Sequence, residues 1–107
     1  SNDPSVNGAM FYAPSSANSY LSADVISASN TLASTMLSFY CSTTGLANKG
    51  VLQDDNMTGI NWCTIPVTIV EMGFMSNPEE DQKMANHEFQ AVIAQGLANG
   101  IDAYFGR

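Results

Sequence analysis

The chain has 107 residues, of which 45% are hydrophobic, and it carries 10 acidic residues against 3 basic ones. The hydrophobic fraction is that of a folded domain and excludes an intrinsically disordered chain. Its three cations, Lys49, Lys83 and Arg107, cannot form a basic patch. This excludes binding to the phosphate backbone of nucleic acids and to anionic membrane surfaces. No segment approaches the ~20 apolar residues that a membrane-spanning helix needs.

The first half of the chain predicts a strand followed by a long helix. Residues 8–13 form a short apolar run that is typical of a strand. Apolar side chains then recur at steps of three and four residues, which predicts one amphipathic helix ending at Gly45. They are Leu21, Val25, Ala28, Leu32, Met36 and Phe39. Residues 46–64 lack this period and are predicted to form a loop with one or two short strands.

The second half predicts a buried strand and two helices. Residues 65–70 are β-branched almost throughout, which indicates a strand buried on both faces of a mostly parallel sheet. Asn77 and Asn86 are typical helix caps. The second of these helices has Gly96 and Gly100 on its apolar stripe, which indicates a close approach to a neighbour, most simply the sheet.

This order of elements predicts an α/β fold with a mixed, mostly parallel sheet and helices on both faces. Few strands accompany three helices, and the chain opens in a turn directly before a strand. The chain is therefore expected to be the C-terminal portion of a larger domain.

Glu71 is the strongest candidate for a chemical role. It directly follows the predicted buried strand, where a carboxylate is costly unless it is paired or takes part in chemistry. Open α/β sheets bind ligands at the carboxyl ends of their strands, so Glu71 is a candidate for proton transfer. The alternative is a structural carboxylate that caps a backbone N–H group or pairs with Lys49.

No zinc site is expected from the residues of this chain. Zinc hydrolases use about three protein ligands, commonly two His and a carboxylate, and His87 is the only histidine. Its place at a predicted helix start is typical of a solvated surface residue. The Asp54-Asp55 pair could contact a divalent cation, although a solvated loop is the simpler interpretation. Cys41 and Cys63 could pair, lie buried or stay as free thiols.

Residues 70–80 carry the most specific pattern of the sequence, Val-Glu-Met-Gly-Phe-Met-Ser-Asn-Pro-Glu-Glu. This segment resembles the zinc-dependent N-acetylmuramoyl-L-alanine amidases of bacteria and their phages, whose hallmark is Val-Glu-hydrophobe-Gly-Phe-hydrophobe-Ser-Asn before an acidic helix. Residues 48–51, Asn-Lys-Gly-Val, resemble the family's Asn-Arg-Gly-Val. Residues 7–12, 65–70 and 89–104 resemble two strands and the closing helix of the family, so the likeness covers nearly the whole chain.

The resemblance implies hydrolysis of the amide bond between N-acetylmuramic acid and L-alanine in peptidoglycan. The site of action would be the cell wall or the extracellular space, for a host autolysin or a phage lysin. The resemblance also implies that Glu71 acts as general base and acid beside a zinc-bound water. Asn48 and Lys49 would contact the substrate, Lys49 without the bidentate grip of the Arg that it replaces.

The family's zinc ligands, two His and a Glu, are absent from this sequence. The resemblance therefore implies that residues 1–107 are the C-terminal portion of a single amidase catalytic domain, with zinc in the complete domain and none bound tightly by this chain. Such a chain is expected to associate with itself or with the missing N-terminal part. Two alternatives stay open: an inactive, truncated amidase fold that binds cell-wall glycopeptide or another partner, and an unrelated α/β domain that shares the Glu-Gly-Phe turn.

Overall fold

The computed structural model describes residues 3–74 and 76–107. Strands and helices alternate over most of this length. In chain order they are β1 (Ala9–Ala13), α1 (Ala23–Thr44), β2 (Asn48–Gln53), α2 (Thr58–Asn61), β3 (Ile69–Glu71), α3 (Pro78–Ala85) and α4 (His87–Tyr104).

The described strands form one sheet in the order β2-β1-β3. The central strand β1 pairs in parallel with β2 and antiparallel with β3. The α/β class and the mixed sheet are thus confirmed. The expectation of a mostly parallel sheet is not met among these strands, because one of the two pairings is antiparallel.

The predicted strand at residues 65–70 is wrong in extent and in burial. Only residues 69–71 join the sheet, as an edge of the described strands, and Ile65 is 68% exposed. The preceding residues are held by side chains instead of by a strand ladder. Val67 N donates to Ser29 Oγ at 2.9 Å, and Thr68 Oγ1 donates to the Tyr12 carbonyl at 2.8 Å. Most of the β-branched run is therefore a segment that side-chain hydrogen bonds hold in place before the short strand β3 begins.

Local capping fixes the helix ends as the sequence predicts. Asn77 Oδ1 accepts from Glu79 N and Glu80 N at the start of α3, and Asn86 Oδ1 accepts from Phe89 N at the start of α4. Helix α1 ends at Gly45, which is left-handed (φ 76°) and donates to the Cys41 carbonyl. This is the geometry that glycine adopts without strain after a helix.

Gly96 and Gly100 mark a close approach between α4 and α1. A Cβ atom at Gly100 would lie 2.7 Å from Met36 Cα, and one at Gly96 would lie 3.3 Å from Tyr40 Cα. The predicted close approach is confirmed, but the neighbour is helix α1 and not the sheet. Helix α4 packs on α1 along this stripe, and both glycines lie where the two helix backbones come together.

The core lies between the sheet and the two long helices. Its centre is the contact of Phe11 in β1 with Tyr40 in α1, whose ring centroids are 5.6 Å apart. Ile93 of α4 belongs to the same cluster. The complete cluster of buried core residues is Ala9, Phe11, Ala13, Ala33, Met36, Leu37, Tyr40, Leu46 and Ile93.

The opposite face of the sheet is more thinly covered. Alternation along the strands places Met10 and Tyr12 there, and both are half-buried. The neighbouring Leu52 is 46% exposed. Gly59 of the short helix α2 lies against Ile69 on this face, so helices contact both faces. None of the helices in the described ranges is long and apolar enough to span a membrane.

Candidate active site

Glu71 lies at the end of β3, opposite Met10 in β1. Because β3 runs antiparallel, its carboxyl end meets the amino ends of β1 and β2. The expectation that Glu71 lies at the carboxyl edge of a parallel sheet is therefore wrong. The residue lies at the end of a strand that runs antiparallel to its neighbour. Glu71 is half-buried. By alternation with Val70, which packs against the core cluster, it lies on the thinly covered face of the sheet.

The Glu71 carboxylate has neither a hydrogen bond nor an ion pair with any other described residue. The structural alternative, in which it caps a backbone N–H group or pairs with Lys49, therefore has no support in the described part of the chain. Within that part, the lysine ion pair joins Lys83 to Glu79 at 3.8 Å. Glu71 is left with both oxygens available to a ligand or to water.

The loop that follows Glu71 is held by three hydrogen bonds to its backbone. The buried Tyr40 donates its hydroxyl proton to the Met72 carbonyl at 2.9 Å. The Phe74 amide donates to Glu80 Oε1 at 2.9 Å, and the Phe74 carbonyl accepts from Asn77 N at 3.0 Å. The Glu71 carboxylate, which has no partner among the described residues, therefore lies beside a loop whose backbone is held by Tyr40, Glu80 and Asn77.

Tyr40 is part of this restraint and is fully buried. Burial raises the pKa of Tyr40 to about 12, with smaller contributions from the nearby Cys41 and Glu80. The phenol therefore stays protonated and remains a donor over the whole physiological range.

Glu80 is a residue of this region that sequence reasoning missed. Its position three residues after the Asn77 cap is typical of a capping box and of a favourable charge at a helix start. The carboxylate instead turns away from Asn77 and accepts from Phe74 N and, at 2.7 Å, from Gly8 N. No local signal identifies this role, because Gly8 lies 72 residues earlier in the chain.

Asn48 and Lys49 lie at the same end of the sheet as Glu71. Asn48 is the first residue of β2 and pairs with Ala9 of β1, and the next residue of β1, Met10, pairs with Glu71. Two strand spacings of ~4.8 Å place the Asn48 and Glu71 backbones about 10 Å apart. Both Asn48 and Lys49 are exposed, and Asn48 Oδ1 accepts from Gly50 N at 2.9 Å. The structure thus brings these residues to one edge without direct contact.

The remaining candidates do not converge on Glu71. His87 is exposed at the start of α4. Asp54 and Asp55 follow the carboxyl end of β2, at the opposite edge of the sheet. Asp55 accepts from the side chain and backbone of Ser15 and from Asn18, and the Ser15 hydroxyl bond is the main cause that lowers the pKa of Asp55.

The donor set of this chain does not fit a zinc site. No group of three or more His, Cys, Asp or Glu side chains lies together among the residues described. Glu71, His87 and the Asp54-Asp55 pair occupy separate places in the fold. Cys41 and Cys63, both within the described ranges, are unpaired and half-buried.

A cavity of about 420 Å³ borders the Glu71 loop. It is lined by Glu71, Met72, Gly73, Met84, Gln90 and Ile93. Met72 is one of these lining residues and is 42% exposed, so apolar surface open to solvent borders the loop that follows Glu71.

The sequence profile of the N-acetylmuramoyl-L-alanine amidase family matches residues 1–103. The chain therefore belongs to this family. The amidase AmiA of Salmonella typhimurium is 43% identical over 42 residues, which is 39% of this chain and 14% of AmiA.

Two solved structures share the fold. The catalytic domain of CwlV, an N-acetylmuramoyl-L-alanine amidase from Paenibacillus polymyxa, has a TM-score of 0.80 at 29% identity, covering 99% of this chain and 52% of that domain. An N-acetylmuramoyl-L-alanine amidase from Clostridium difficile 630 has a TM-score of 0.83 at 24% identity, covering 98% of this chain and 52% of that protein. The chain thus spans about half the length of each of these structures.

Proposed function

We propose that this chain forms the C-terminal portion of an amidase catalytic domain that cleaves the bond between N-acetylmuramic acid and L-alanine in peptidoglycan. The observation that carries the proposal is the Glu71 carboxylate, which has no partner among the described residues while Tyr40, Asn77 and Glu80 tie the loop beside it. The family relationship supplies the reaction class. The site of action that we propose is the cell wall.

In this proposal Glu71 moves protons during hydrolysis. As a general base it accepts a proton from the attacking water, and as a general acid it returns a proton to the departing amine nitrogen. A carboxylate that serves both steps needs a free oxygen and a fixed position. Glu71 combines a carboxylate that has no partner among the described residues with a tethered loop, and this supports its assignment to both steps.

Zinc is the cofactor expected for the complete domain, where it would activate water. The described residues do not fit a zinc site. We therefore propose that its ligands lie outside these 107 residues. Asp3 and Pro4 support this arrangement: their carbonyls accept from Ser76 Oγ at 3.1 Å and from Asn77 Nδ2 at 3.2 Å. These bonds hold the first described residues beside the loop that follows Glu71.

Asn48 and Lys49 are proposed to contact the substrate. Lys49 is an exposed cation at the Glu71 end of a chain that contains 10 acidic and 3 basic residues. It can attract an acidic group of the substrate, although as a point charge and not as a bidentate fork. We expect Lys49→Met to raise KM with little change in kcat, because such a contact would be the same in the ground and transition states.

The test compares Glu71→Gln with Glu79→Gln in the full-length protein that contains this chain. Purified peptidoglycan is the substrate, and newly exposed L-alanine amino termini are the readout. Glutamine keeps the shape of Glu71 but cannot accept the proton, so activity should fall by about 10²- to 10⁴-fold. Glu79 is exposed at the start of α3 and pairs only with Lys83 among the described residues, so Glu79→Gln should cleave at the wild-type rate.

Two results would count against the proposal. Near wild-type cleavage by Glu71→Gln would show that this residue is structural. Binding of peptidoglycan by the wild-type protein without any cleavage, in the presence of added zinc, would favour the inactive glycopeptide-binding module. Circular dichroism of both variants checks that the fold is retained.

A further inference from the structure

We propose that Glu80 is a positioning residue for Glu71: its buried carboxylate ties the loop after Glu71 to the start of β1. This inference rests on the proposed function. The side chain is only 5% exposed, and its two oxygens accept from Phe74 N at 2.9 Å and from Gly8 N at 2.7 Å. Of the described charged side chains, Glu80 is the one classed as buried.

The partners of Glu80 are directional backbone donors. The only lysine ion pair among the described residues joins Lys83 to Glu79, so no cation neutralises Glu80 at close range. Burial of a carboxylate is costly unless hydrogen bonds replace its water. For packing alone, an apolar side chain would serve better at this position. Two N–H bonds from two distant segments instead fix where each segment lies.

The two segments flank Glu71, one along the chain and one across the sheet. Phe74 follows Glu71 by three residues. Gly8 leads into β1, where Met10 pairs with Glu71. Chain connections, strand pairing and two hydrogen bonds thus form a closed loop of contacts from Glu71 through Phe74, Glu80 and Gly8 to Met10, which pairs with Glu71. The Glu80 carboxylate accepts both hydrogen bonds of this loop.

Two glycines give the chain the close passage that this closed loop needs. A Cβ atom at Gly73 would lie 2.6 Å from Met84 Cε and, in ordinary contact, 3.4 Å from Glu80 Oε1, so the backbone of Gly73 passes close to helix α3 beside the carboxylate. Gly8 has a positive φ of 97°, and a Cβ atom there would lie 2.5 Å from the Ala47 carbonyl oxygen. Glycine is thus needed at Gly8 for its backbone conformation and its approach to Ala47, and at Gly73 for its approach to Met84, a residue of the same helix as Glu80.

The test uses the full-length protein and the variants Glu80→Gln, Glu79→Gln and Glu71→Gln. Glutamine at residue 80 keeps the size of the side chain but turns an NH₂ group toward one of the two backbone donors. We expect kcat on peptidoglycan to fall by about 10- to 100-fold with KM nearly unchanged, since misplacement by about 1 Å costs up to 10²-fold. Glu79→Gln removes the same charge one residue earlier and should retain wild-type kcat.

Amide hydrogen exchange supplies a readout that does not depend on turnover. In Glu80→Gln the amides of Phe74 and Gly8 should exchange faster, while those in the middle of α1 keep their protection. Tyr40→Phe is a second variant in case Glu80→Gln does not fold. It removes the separate tether to the Met72 carbonyl and should also lower kcat with KM nearly unchanged.

The outcomes separate this inference from the proposed function. If the wild-type protein cleaves and Glu71→Gln does not, but Glu80→Gln retains wild-type kcat, Glu80 does not position Glu71 and only this inference is overturned. Unchanged exchange at both Phe74 and Gly8 in Glu80→Gln would overturn it as well. A wild-type protein that does not cleave peptidoglycan overturns the proposed function and this inference together.

Discussion

The contact between α1 and α4 gives a stability prediction whose size follows from the structure. In Gly100→Ala the new Cβ atom would lie 2.7 Å from Met36 Cα and 3.1 Å from Met36 Cβ. Carbon atoms in good contact are ~3.5–4.0 Å apart, so the helices must separate by about 1 Å. Overpacking of this kind costs about 1–3 kcal/mol, while alanine gains about 0.8–1 kcal/mol over glycine in a helix.

The net expectation for Gly100→Ala is a loss of about 1 kcal/mol, and at most about 2 kcal/mol, in the free energy of unfolding. With a urea m-value of about 1–2 kcal/mol/M, the unfolding midpoint should fall by roughly 1 M. Gly96→Ala is the matched control, because its Cβ atom would lie 3.3 Å from Tyr40 Cα and needs a shift of only a few tenths of an ångström. Its packing cost should be offset by helix propensity, which leaves a change within about 0.5 kcal/mol.

Urea unfolding followed by circular dichroism measures both variants. The reasoning is refuted if Gly100→Ala is as stable as the wild type, or if the two variants lose equal stability. Either result would mean that α4 does not approach α1 most closely at Gly100.

Four further predictions concern pH, metal and association. Burial raises the pKa of Tyr40 to about 12 from 10.0, so on raising the pH the Tyr40 hydroxyl loses its proton first in the unfolded state. The free energy of unfolding should therefore fall between pH 10 and 12 by about 1.4 kcal/mol per pH unit. In pH-dependent denaturation, Tyr40→Phe should show a smaller loss of stability over this range. Hydrogen bonds from Ser15 lower the pKa of Asp55 from 3.8. The stability that this carboxylate contributes is therefore present above about pH 4 and is lost as the pH falls through the pKa of the folded state. The stability of Asp55→Asn should decline less than that of the wild type in an acid titration, and equal declines would refute this. The isolated 107-residue chain should retain no stoichiometric zinc after dialysis, and one zinc per chain by elemental analysis would contradict this. The same chain should self-associate because Leu52 and the strand edges of the described sheet are exposed. A monodisperse monomer at micromolar concentration by sedimentation would contradict this expectation.

The helix boundaries could be predicted because capping is local. Asn77 and Asn86 bond amides two or three residues ahead of them, and Gly45 closes onto the Cys41 carbonyl four residues back. Such bonds form within one turn of chain, so the residue types in that turn are enough to place them. The sequence also selects Glu71 as the candidate for proton transfer, since its motif and its position after a β-branched run are both local features.

The extent and direction of β3 were decided by tertiary structure. The β-branched run at residues 65–70 predicted a longer buried strand, but β1 offers a pairing partner only to residues 69–71. The composition of a segment does not encode which strand lies beside it. The antiparallel direction, which brings Glu71 to the same sheet end as Asn48 and Lys49, follows from that pairing alone.

The sequence by itself determined the α/β class, the helix caps and the identity of the carboxylate at the end of β3. Only the tertiary structure assigned Glu80 to its place, because one of its two donors, Gly8, is 72 residues away along the chain. It also decided that Gly96 and Gly100 pack on α1. The physical reason is the same in both cases: a hydrogen bond or a packing contact between distant segments depends on how the elements stack, and short-range residue patterns carry no information about that stacking.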